Sequence, residues 1–473
     1  MKDKESLNAE KFDNAVDRTS QNSTMKPIDT IKFVLLLVVG IVAMSARKME
    51  DLGVLFGISV VVWLTVFIYL TQTVKTKRQF LITGICFWIE SVIRMYGLSG
   101  IIAADILLMT VYSALFLGGL VLYRYVAKKS HNFLATLIPP AIWTVMLLFF
   151  TAIRIPSVMR FDLMFFDCKY IIQSVSLISA IGFDIIIVWI STAFAYGLAT
   201  RKFILPAVAS SLIIAMVISG AVQLAKQSEP CGSIKIGYAT GAYVGDFIKT
   251  ETLPYEDCVA SFNKVFAKAV SQNVDILAFS EETYEIKDIY EKDFVEIIGK
   301  AAKDNNLYVV VGFDIEDTDG SEDGKYLNKI VFIGNDGKVI SEYTKYNIIP
   351  LLEDDYAPGN GIIPTPVVDI NGTPVKIAFA ICYDSNFPNY FKQIPDDTQL
   401  LILPSWDWNG VSYVHGHLCG NLAIENGVSL LKPTYDGYTI AVDPYGNILD
   451  FKSTKETGYE SVQVVEMPIY PKG

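Results

Sequence analysis

Three side chains that can catalyse acyl transfer each follow a short, apolar, β-branched segment. Glu281 ends DILAFSE, Lys345 ends EYTK, and Cys382 ends VKIAFAIC. In sheets flanked by helices, sites assemble at the carboxyl ends of strands, so we expect these side chains to meet there. Glutamate is a general base, lysine can stabilise an oxyanion, and a cysteine thiolate is a strong nucleophile. The sequence therefore predicts acyl transfer through a thioester on Cys382.

Each of these side chains also has an ordinary structural interpretation. A single cysteine after a strand is more often a buried small hydrophobe, Glu281 could be an acid at a helix N-terminus, and Lys345 could be an exposed strand end. The order of the three, each at the end of a separate strand, favours catalysis. A helix predicted from residue 386 would place its positive dipole end near Cys382. Glu353, downstream of Lys345, could orient that lysine or an acceptor amine.

The elements that must position these residues begin at about residue 233. Apolar, β-branched runs predict strands, apolar residues at helical spacing predict helices, and Asn335-Asp336-Gly337 predicts a hairpin turn. A segment of about 240 residues is compatible with a single α/β core. The predicted strands are 233–240, 274–280, 307–315, 375–381, 398–405 and 460–467, with hairpins at 328–346 and 438–452 and helices at 255–272, 288–304 and 412–427.

The N-terminal half of the chain is apolar and basic, whereas the C-terminal half is acidic. The 473 residues are 52% hydrophobic with a mean hydropathy of +0.37, which is too apolar for an ordinary soluble protein. Residues 1–229 hold 21 Lys and Arg against 14 Asp and Glu, and residues 230–473 hold 18 against 36. Because basic residues flank membrane spans, this composition predicts a multi-span α-helical membrane domain followed by an acidic α/β domain.

Seven apolar stretches fit spanning helices, for which about 20 residues are needed. Basic residues are denser in the leader and in alternate loops, so the positive-inside rule places the N-terminus in the cytoplasm and the acidic domain outside. We therefore expect a disordered cytoplasmic leader at 1–29, a transmembrane domain at 30–228 and an extracytoplasmic catalytic domain at 229–473. The seven stretches lie near 30–46, 53–73, 79–97, 101–123, 133–152, 170–199 and 203–225.

The composition argues against several kinds of site and partner. The acidic half has no basic patch with interleaved aromatic residues, so nucleic acid is not expected as a partner. With three histidines and no CxxC motif, no metal site is expected, and no cofactor is expected either. Cys168, Cys231 and Cys258 could pair in an oxidising compartment, but their spacing does not select a partner.

The same segments carry a resemblance to known families. Residues 233–467 resemble the carbon–nitrogen hydrolase (nitrilase) superfamily, whose sites are Glu–Lys–Cys, and the chain from about residue 30 resembles its membrane-bound branch, the bacterial apolipoprotein N-acyltransferases. The branch's Cys-Tyr-Glu pattern followed by Phe-Pro appears with Asp384 in place of Glu. The matching residues are Cys382-Tyr383-Asp384-Ser385-Asn386-Phe387-Pro388, Lys345 with Pro350 and Glu353, Trp406-Asp407-Trp408, His417 and Ala423-Ile424-Glu425.

This resemblance implies a fold, a reaction and a location. It implies an α-β-β-α sandwich next to the membrane helices, in the bacterial plasma membrane. It also implies that Cys382 takes a fatty acyl chain from a membrane phospholipid and passes it to the N-terminal amine of a lipoprotein's diacylglyceryl-cysteine. The implied site consists of catalytic Glu281, Lys345 and Cys382 and substrate-binding Glu353, Tyr383, Asp384 and Trp406.

Two other functions are compatible with the same residues. A membrane-tethered amidase of the superfamily would let water resolve the thioester and would hydrolyse small amides outside the cell. One span suffices as an anchor, so seven predicted spans argue against that function. A non-enzymatic sensor or scaffold with this fold would not need Glu281, Lys345 and Cys382 to be intact.

Overall fold

The structure, a computed structural model, describes residues 28–45, 53–95, 97, 101–130, 133–155, 160–240, 254–318, 320, 324–408, 411–454 and 461–472. The leader expected at 1–29 lies almost entirely outside these residues. The chain divides into two compact units, one formed by 1–148 and 181–216 and the other by 149–180 and 217–473. The second unit thus includes a segment, 149–180, that precedes the predicted domain boundary at 229.

The first unit consists of apolar helices, and the residue ranges of some of these helices extend into those of the second unit. Five helical segments in the described part of the chain are long and apolar enough to cross a membrane. Two further predicted spans are also helical, but the first helix is shorter and the third is less apolar, so five rather than seven meet this criterion. The helices are α1 (Thr30–Ser45), α2 (Val54–Thr73), α3 (Lys77–Met95), α4 (Ile102–Ser130), α5 (Ile138–Ala152), α6 (Lys169–Ile172), α7 (Val175–Thr200) and α8 (Ile204–Ala225).

Stacked aromatic rings hold helices α2 to α5 together in the first unit. The ring centroids of Trp63 and Phe87 are 5.3 Å apart, those of Phe87 and Phe116 are 5.5 Å apart, and Phe116 meets Trp143 edge-on at 5.5 Å. The indole Nε1 of Trp63 donates a 2.7 Å hydrogen bond to the buried carboxylate of Glu90. A polar group inside an apolar helix cluster needs such a partner, since burial without one is costly.

Two mixed β-sheets form the centre of the second unit. The first has the order β15-β1-β2-β4-β5-β6, with β3 also paired to β4, and the second has the order β14-β13-β11-β9-β8-β7. Strands β10 and β12 form a separate parallel pair. The strands are β1 (Gly232–Ala239), β2 (Ile276–Phe279), β3 (Tyr284–Lys287), β4 (Tyr308–Glu316), β5 (Tyr326–Ile333), β6 (Val339–Thr344), β7 (Val367–Ile370), β8 (Thr373–Phe379), β9 (Leu400–Ile402), β10 (Ser405–Trp406), β11 (Ser429–Lys432), β12 (Thr434–Tyr435), β13 (Tyr438–Val442), β14 (Ile448–Ser453) and β15 (Val462–Ile469).

The two sheets face each other, and helices cover their outer faces. Phe332 of β5 contacts Phe379 of β8 across the inner space, with ring centroids 4.9 Å apart. Helices α9 (Tyr255–Ser271) and α10 (Asp288–Asn305) bury apolar faces on the first sheet. Helix α11 (Ser412–Asn426) packs on the second. The α-β-β-α sandwich is therefore confirmed, and the parallel strands at its centre bring several carboxyl ends to one edge.

Candidate active site

Glu281 lies just after β2, in a turn that leaves little room. Thr283 Oγ1 donates a 2.7 Å hydrogen bond to the carbonyl oxygen of Ser280 and closes this turn. Residue 312 on neighbouring β4 must be glycine, because a Cβ there would lie 2.4 Å from the Ser280 oxygen. The next residue, Glu282, has a φ of 47°. This turn points the Glu281 carboxylate toward the end of β6.

Lys345 follows β6 and lies between two carboxylates. Its Nζ is 2.8 Å from Glu281 Oε1 and 2.5 Å from Glu353 Oε1, and the lysine is 1% exposed. Burial acts to lower the pKa of Lys345, but the charges of Glu281 and Glu353 outweigh it and hold that pKa well above its usual value. Lys345 is therefore a fixed cation. The second oxygen of Glu353 accepts the backbone N–H of Ile349 at 2.8 Å, and burial raises the pKa of this carboxyl.

Cys382 lies in a sharp turn after β8. Its φ is 40°, in the left-handed region that residues with a side chain rarely adopt, and it is 3% exposed. The predicted helix from residue 386 is wrong, because the structure has two short 3₁₀ turns there, Cys382–Asn386 and Pro388–Gln393. A strained backbone of this kind persists only where the surrounding structure fixes it, and the short 3₁₀ turns provide no long helix dipole at the thiol.

The electrostatics keep the Cys382 thiol neutral at rest. Burial, and then the negative charge of Glu281, raise the pKa of Cys382 well above its usual value, while Lys345 acts in the opposite direction. The sulfur donates to the carbonyl oxygen of Trp406 at 3.5 Å. A nucleophilic thiolate would thus form only as a base removes the proton.

The backbone of Trp406 links Cys382 to Glu281. Its N–H donates a 2.6 Å hydrogen bond to Glu281 Oε2, and its carbonyl oxygen is the acceptor for the Cys382 thiol. Its indole ring meets Tyr435 edge-on, with centroids 5.2 Å apart. The family resemblance implies that Trp406 binds substrate; the structure places its main chain between the thiol and the carboxylate.

Tyr383 and Asp384, the other expected substrate-binding residues, are both buried but have different hydrogen-bond partners. The Tyr383 hydroxyl donates to the carbonyl oxygen of Arg154 at 3.3 Å, within the second unit. Asp384 is fully buried and accepts hydrogen bonds from Tyr343 Oη (2.6 Å), Asn347 N and Nδ2 (2.9 and 2.8 Å) and Ile381 N (3.0 Å). These bonds occupy both carboxylate oxygens, so we interpret Asp384 as a residue that positions the Cys382 turn.

A second group of buried charges lies on the other side of Cys382. Asp407 Oδ1 is 2.6 Å from His415 Nδ1, and Asp407 Oδ2 is 2.5 Å from Lys432 Nζ. The His415 Nε2 is 2.8 Å from Ser385 Oγ, which donates a 2.6 Å bond to the Cys382 carbonyl oxygen. Burial acts to raise the pKa of Asp407, but Lys432 and His415 outweigh it and lower that pKa.

His417 is the histidine of the family resemblance, but the structure places His415 next to Cys382. Two positions on a helix differ by about 200° in direction, so only one of these side chains can face the turn. His417 instead packs on Phe166 and Tyr413, with centroids 5.1 and 4.4 Å away, and burial lowers its pKa to about 4. The i, i+4 spacing of His415 and Cys419 on one face of α11 was a usable signal.

Asn328 is a second residue that the sequence analysis missed. Its Nδ2 donates 2.8 Å hydrogen bonds to both Glu281 Oε1 and Glu282 Oε1, and its carbonyl oxygen accepts the backbone N–H of Lys345. Asn328 is buried and shares an inward face of β5 with Ile330. The alternation of side chains along a strand could have identified it, since a polar residue at an inward position needs a partner.

Among the residues that the structure describes, two groups of side chains have donor atoms close enough to bind a metal ion. In each of them the donor atoms lie within 4.8 Å of one another. Both groups already contain a bound ammonium, Lys345 in the first and Lys432 in the second. A resident cation opposes a second one, so the geometry fits internal ion pairs. The groups are Glu281, Glu282 and Glu353, and Cys382, Asp407 and His415.

The segment 149–180 packs on helix α11 within the second unit. Arg160 and Asp162 form a buried, two-bond ion pair at 2.9 and 2.6 Å, and Asn421 Nδ2 donates to Asp162 at 3.1 Å. The ring of Phe166 lies so close to Gly420 that a Cβ there would be 2.3 Å from it. This segment therefore covers the helix that carries His415.

Further along, the same segment meets the turn between β13 and β14. Lys169 Nζ is 2.5 Å from Asn447 Oδ1, and Gln173 Nε2 donates to the carbonyl oxygen of Tyr445 at 3.0 Å.

All six cysteines of the chain lie in described residues and are free thiols, so the structure contains no disulfide among them.

Comparison with known proteins agrees with this architecture. Residues 256–468 match the family model of carbon-nitrogen hydrolases, so the C-terminal part of the chain is similar to a carbon-nitrogen hydrolase domain. The chain is similar to the apolipoprotein N-acyltransferases of Rickettsia prowazekii (25% identity over 317 residues, 62% of each chain) and Photobacterium profundum (26% over 206 residues, 37% of this chain and 38% of that protein). These comparisons confirm the resemblance inferred from the motifs.

The similarity covers part of each relative. The match spans 62% of the length of the Rickettsia prowazekii protein. A solved amidase structure from Nesterenkonia sp. AN1 is similar at 18% identity with a TM-score of 0.42, covering 50% of this chain and 92% of that one. The apolar helices and the bacterial relatives together indicate a multi-pass bacterial membrane protein.

Proposed function

We propose that this protein is an N-acyltransferase that uses Cys382 as nucleophile, Glu281 as general base and Lys345 as oxyanion stabiliser. The observation that carries the proposal is that Glu281 contacts Lys345 and is linked through the Trp406 backbone to the Cys382 thiol. All three side chains are at most 3% exposed, in a chain with several helices long and apolar enough to cross a membrane. A buried thioester is protected from water. A membrane supplies acyl chains that a site facing only water would not meet.

The first step would form the acyl-enzyme. Glu281 takes the thiol proton, and the Cys382 sulfur attacks the ester carbonyl carbon of a phospholipid. Negative charge that develops on the carbonyl oxygen is stabilised by the Lys345 ammonium, which its two carboxylate partners keep charged. The ester C–O bond then breaks, the alkoxide takes the proton from Glu281, and a lysophospholipid leaves.

The second step would transfer the acyl chain to an amine. The α-amine of a lipoprotein's diacylglyceryl-cysteine attacks the thioester carbonyl, and Glu281 accepts a proton from that amine. The carbon–sulfur bond breaks, the amide forms, and the Cys382 thiol is restored with the proton from Glu281. Glu353, bonded to Lys345 at 2.5 Å, would keep the lysine in position through both steps.

The proposed reaction sets where the protein must act. Its acyl donor is a membrane phospholipid and its acceptor is a membrane-anchored lipoprotein, so the protein would be integral to the bacterial plasma membrane. Diacylated lipoproteins with a free amine are expected on the outer side of that membrane. The carbon-nitrogen hydrolase domain would therefore be extracytoplasmic, as the distribution of basic loops predicts.

The proposal is tested by following the acyl group on Cys382. Purified protein is mixed with phospholipid alone, and mass spectrometry of the Cys382 peptide should show an added acyl chain. A diacylated lipopeptide with a free α-amine should then discharge it and become triacylated, with ping-pong kinetics.

A lipopeptide with a blocked amine is the matched control and should leave the acyl-enzyme intact. Loss of the acyl group to water at one rate, with or without the free amine, would contradict the transferase and favour a hydrolase. Absence of any acyl group on Cys382 would contradict the thioester itself.

A further inference from the structure

A buried series of hydrogen-bonded side chains runs from Lys432 through Asp407, His415 and Ser385 to the Cys382 carbonyl oxygen. An Asp407 oxygen and Ser385 Oγ each face a ring nitrogen of His415, and a neutral histidine can donate a hydrogen bond to only one of them. Asp407 accepts from Lys432 Nζ and, at 2.6 Å, from His415 Nδ1, so that ring nitrogen must carry a proton. Ser385 has a single hydroxyl proton, and its 2.6 Å contact with the Cys382 carbonyl oxygen uses it. The 2.8 Å contact between Ser385 Oγ and His415 Nε2 then requires that nitrogen to donate as well.

We infer that His415 carries a proton on both ring nitrogens in the folded protein and that this imidazolium positions and electrostatically supports the Cys382 thiolate. The sulfur, one Asp407 oxygen and one His415 nitrogen lie within 4.8 Å of one another. Imidazolium, carboxylate and the Lys432 ammonium together carry a net charge of +1. This cluster is therefore a net positive group next to Cys382, whereas the charge of Lys345 is offset by Glu281 and Glu353.

Other ionisable groups near His415 do not neutralise the charge of the imidazolium. Cys419, one turn along α11, also bonds Ser385, and burial raises the pKa of its thiol to about 12, so it is neutral. Arg160 and Asp162, which pack on the same helix, form an ion pair with each other. Asp384 accepts hydrogen bonds from Tyr343, Asn347 and Ile381 on both of its oxygens. Asp407 is thus the carboxylate that faces the imidazolium.

This role deepens the proposed function and rests on it for Cys382 as the nucleophile, but thiol reactivity tests it without acyl transfer. The rate at which iodoacetamide alkylates Cys382 is measured from about pH 7 to 9 by mass spectrometry of that peptide, because burial and Glu281 raise the pKa of this thiol. His415→Gln should lower this rate about 10- to 1000-fold at each pH, since an opposite charge within about 4–6 Å of the thiolate has been removed. His417→Gln, on the same helix, is the matched control and should leave the rate unchanged.

Ser385→Ala separates position from charge. It removes the link to the Cys382 carbonyl but keeps the His415–Asp407 pair, so alkylation should slow less than in His415→Gln. A His415→Gln rate that equals the His417→Gln rate at every pH would overturn the inference. If the rate falls as expected while acyl transfer is absent from the wild-type protein, the proposed function fails and the role of His415 stands.

A measurement on the wild-type protein avoids any folding defect in His415→Gln. The chain has only three histidines, so ¹⁵N-histidine labelling of the full-length protein gives a sparse NMR spectrum. At pH 7.5 one histidine should show two protonated ring nitrogens. His131→Gln and His417→Gln assign that signal by elimination. A bare ring nitrogen on the signal assigned to His415 would overturn the inference.

Discussion

Replacing Lys345 with methionine should lower both the free energy of unfolding of the second unit and the rate of acyl transfer. At 2.8 Å and an effective dielectric constant of about 20, the attraction between its ammonium and the Glu281 carboxylate is about 6 kcal/mol, and the Glu353 contact is similar. Desolvation offsets much of this, and removing one partner of such a buried cluster costs about 3–5 kcal/mol. Acyl transfer should fall by about 10²–10³-fold as oxyanion stabilisation is lost.

The loss of stability should depend on pH. Without Lys345, carboxylate oxygens of Glu281 and Glu353 remain within 4.8 Å, and their repulsion is about 3.5 kcal/mol at the same dielectric constant. Glu281 and Glu353 would relieve this repulsion by keeping one of their two carboxyl groups protonated. Burial already raises the pKa of Glu353 above its unfolded value, and a raised carboxyl pKa means that the folded form loses stability as pH rises through that window. The variant should therefore melt lower at pH 8 than at pH 6.

Lys329→Met is the matched control for this experiment. Lys329 lies in the adjacent strand and also contacts two carboxylates, Glu291 and Glu342, both at 2.6 Å. These partners are partly exposed, at 25% and 49%, so the pair should contribute about 1 kcal/mol or less. Thermal unfolding in detergent is followed by intrinsic fluorescence at both pH values. If both variants melt at the same temperature at pH 6 and at pH 8, the buried-cluster reasoning is refuted.

Three further outcomes are expected. Cys382→Ala should abolish acylation of the protein, whereas Cys258→Ala, in the core between helix and sheet, should retain it when both are assayed by mass spectrometry. Glu281→Gln should slow acyl-enzyme formation about 10²–10⁴-fold and Glu282→Gln less, because Glu281 holds Lys345; the reverse order would make Glu282 the base. Protease added to intact spheroplasts should cleave within 229–473, and protection of that domain would contradict the orientation.

Periodicity predicted most of the second unit because its strands and helices are long enough to show a pattern. The predicted strand at 307–315 and helix at 288–304 agree with β4 and α10 to within a residue or so. The strand β7 was missed although Asn371-Gly372, with φ of 55° and 81°, joins it to β8 in the two-residue turn that marks hairpins. The two-residue strand β12 is too short for periodicity to show.

Only those site residues that end a strand could be predicted from the sequence. Glu281, Lys345 and Cys382 were identified because each ends a strand, and the structure brings Glu281 and Lys345 into contact. The Trp406 backbone was not predictable as a bridge, because its bond to Glu281 spans 125 residues of sequence. Lys432 lies in β11, a strand that the sequence analysis did not predict, and its partner Asp407 is defined only by tertiary folding.

The packing of segment 149–180 on helix α11 also sets an order of events during synthesis. Asp162 bonds Asn421, 259 residues later, and Lys169 bonds Asn447, 278 residues later. At about 5–20 residues per second, these partners leave the ribosome roughly 10–60 s after the segment does. For that interval Phe166 has no Gly420 to pack against. Packing of this segment on α11 is therefore a late step of folding. In a nascent chain halted before residue 420, segment 149–180 lacks the helix on which it packs.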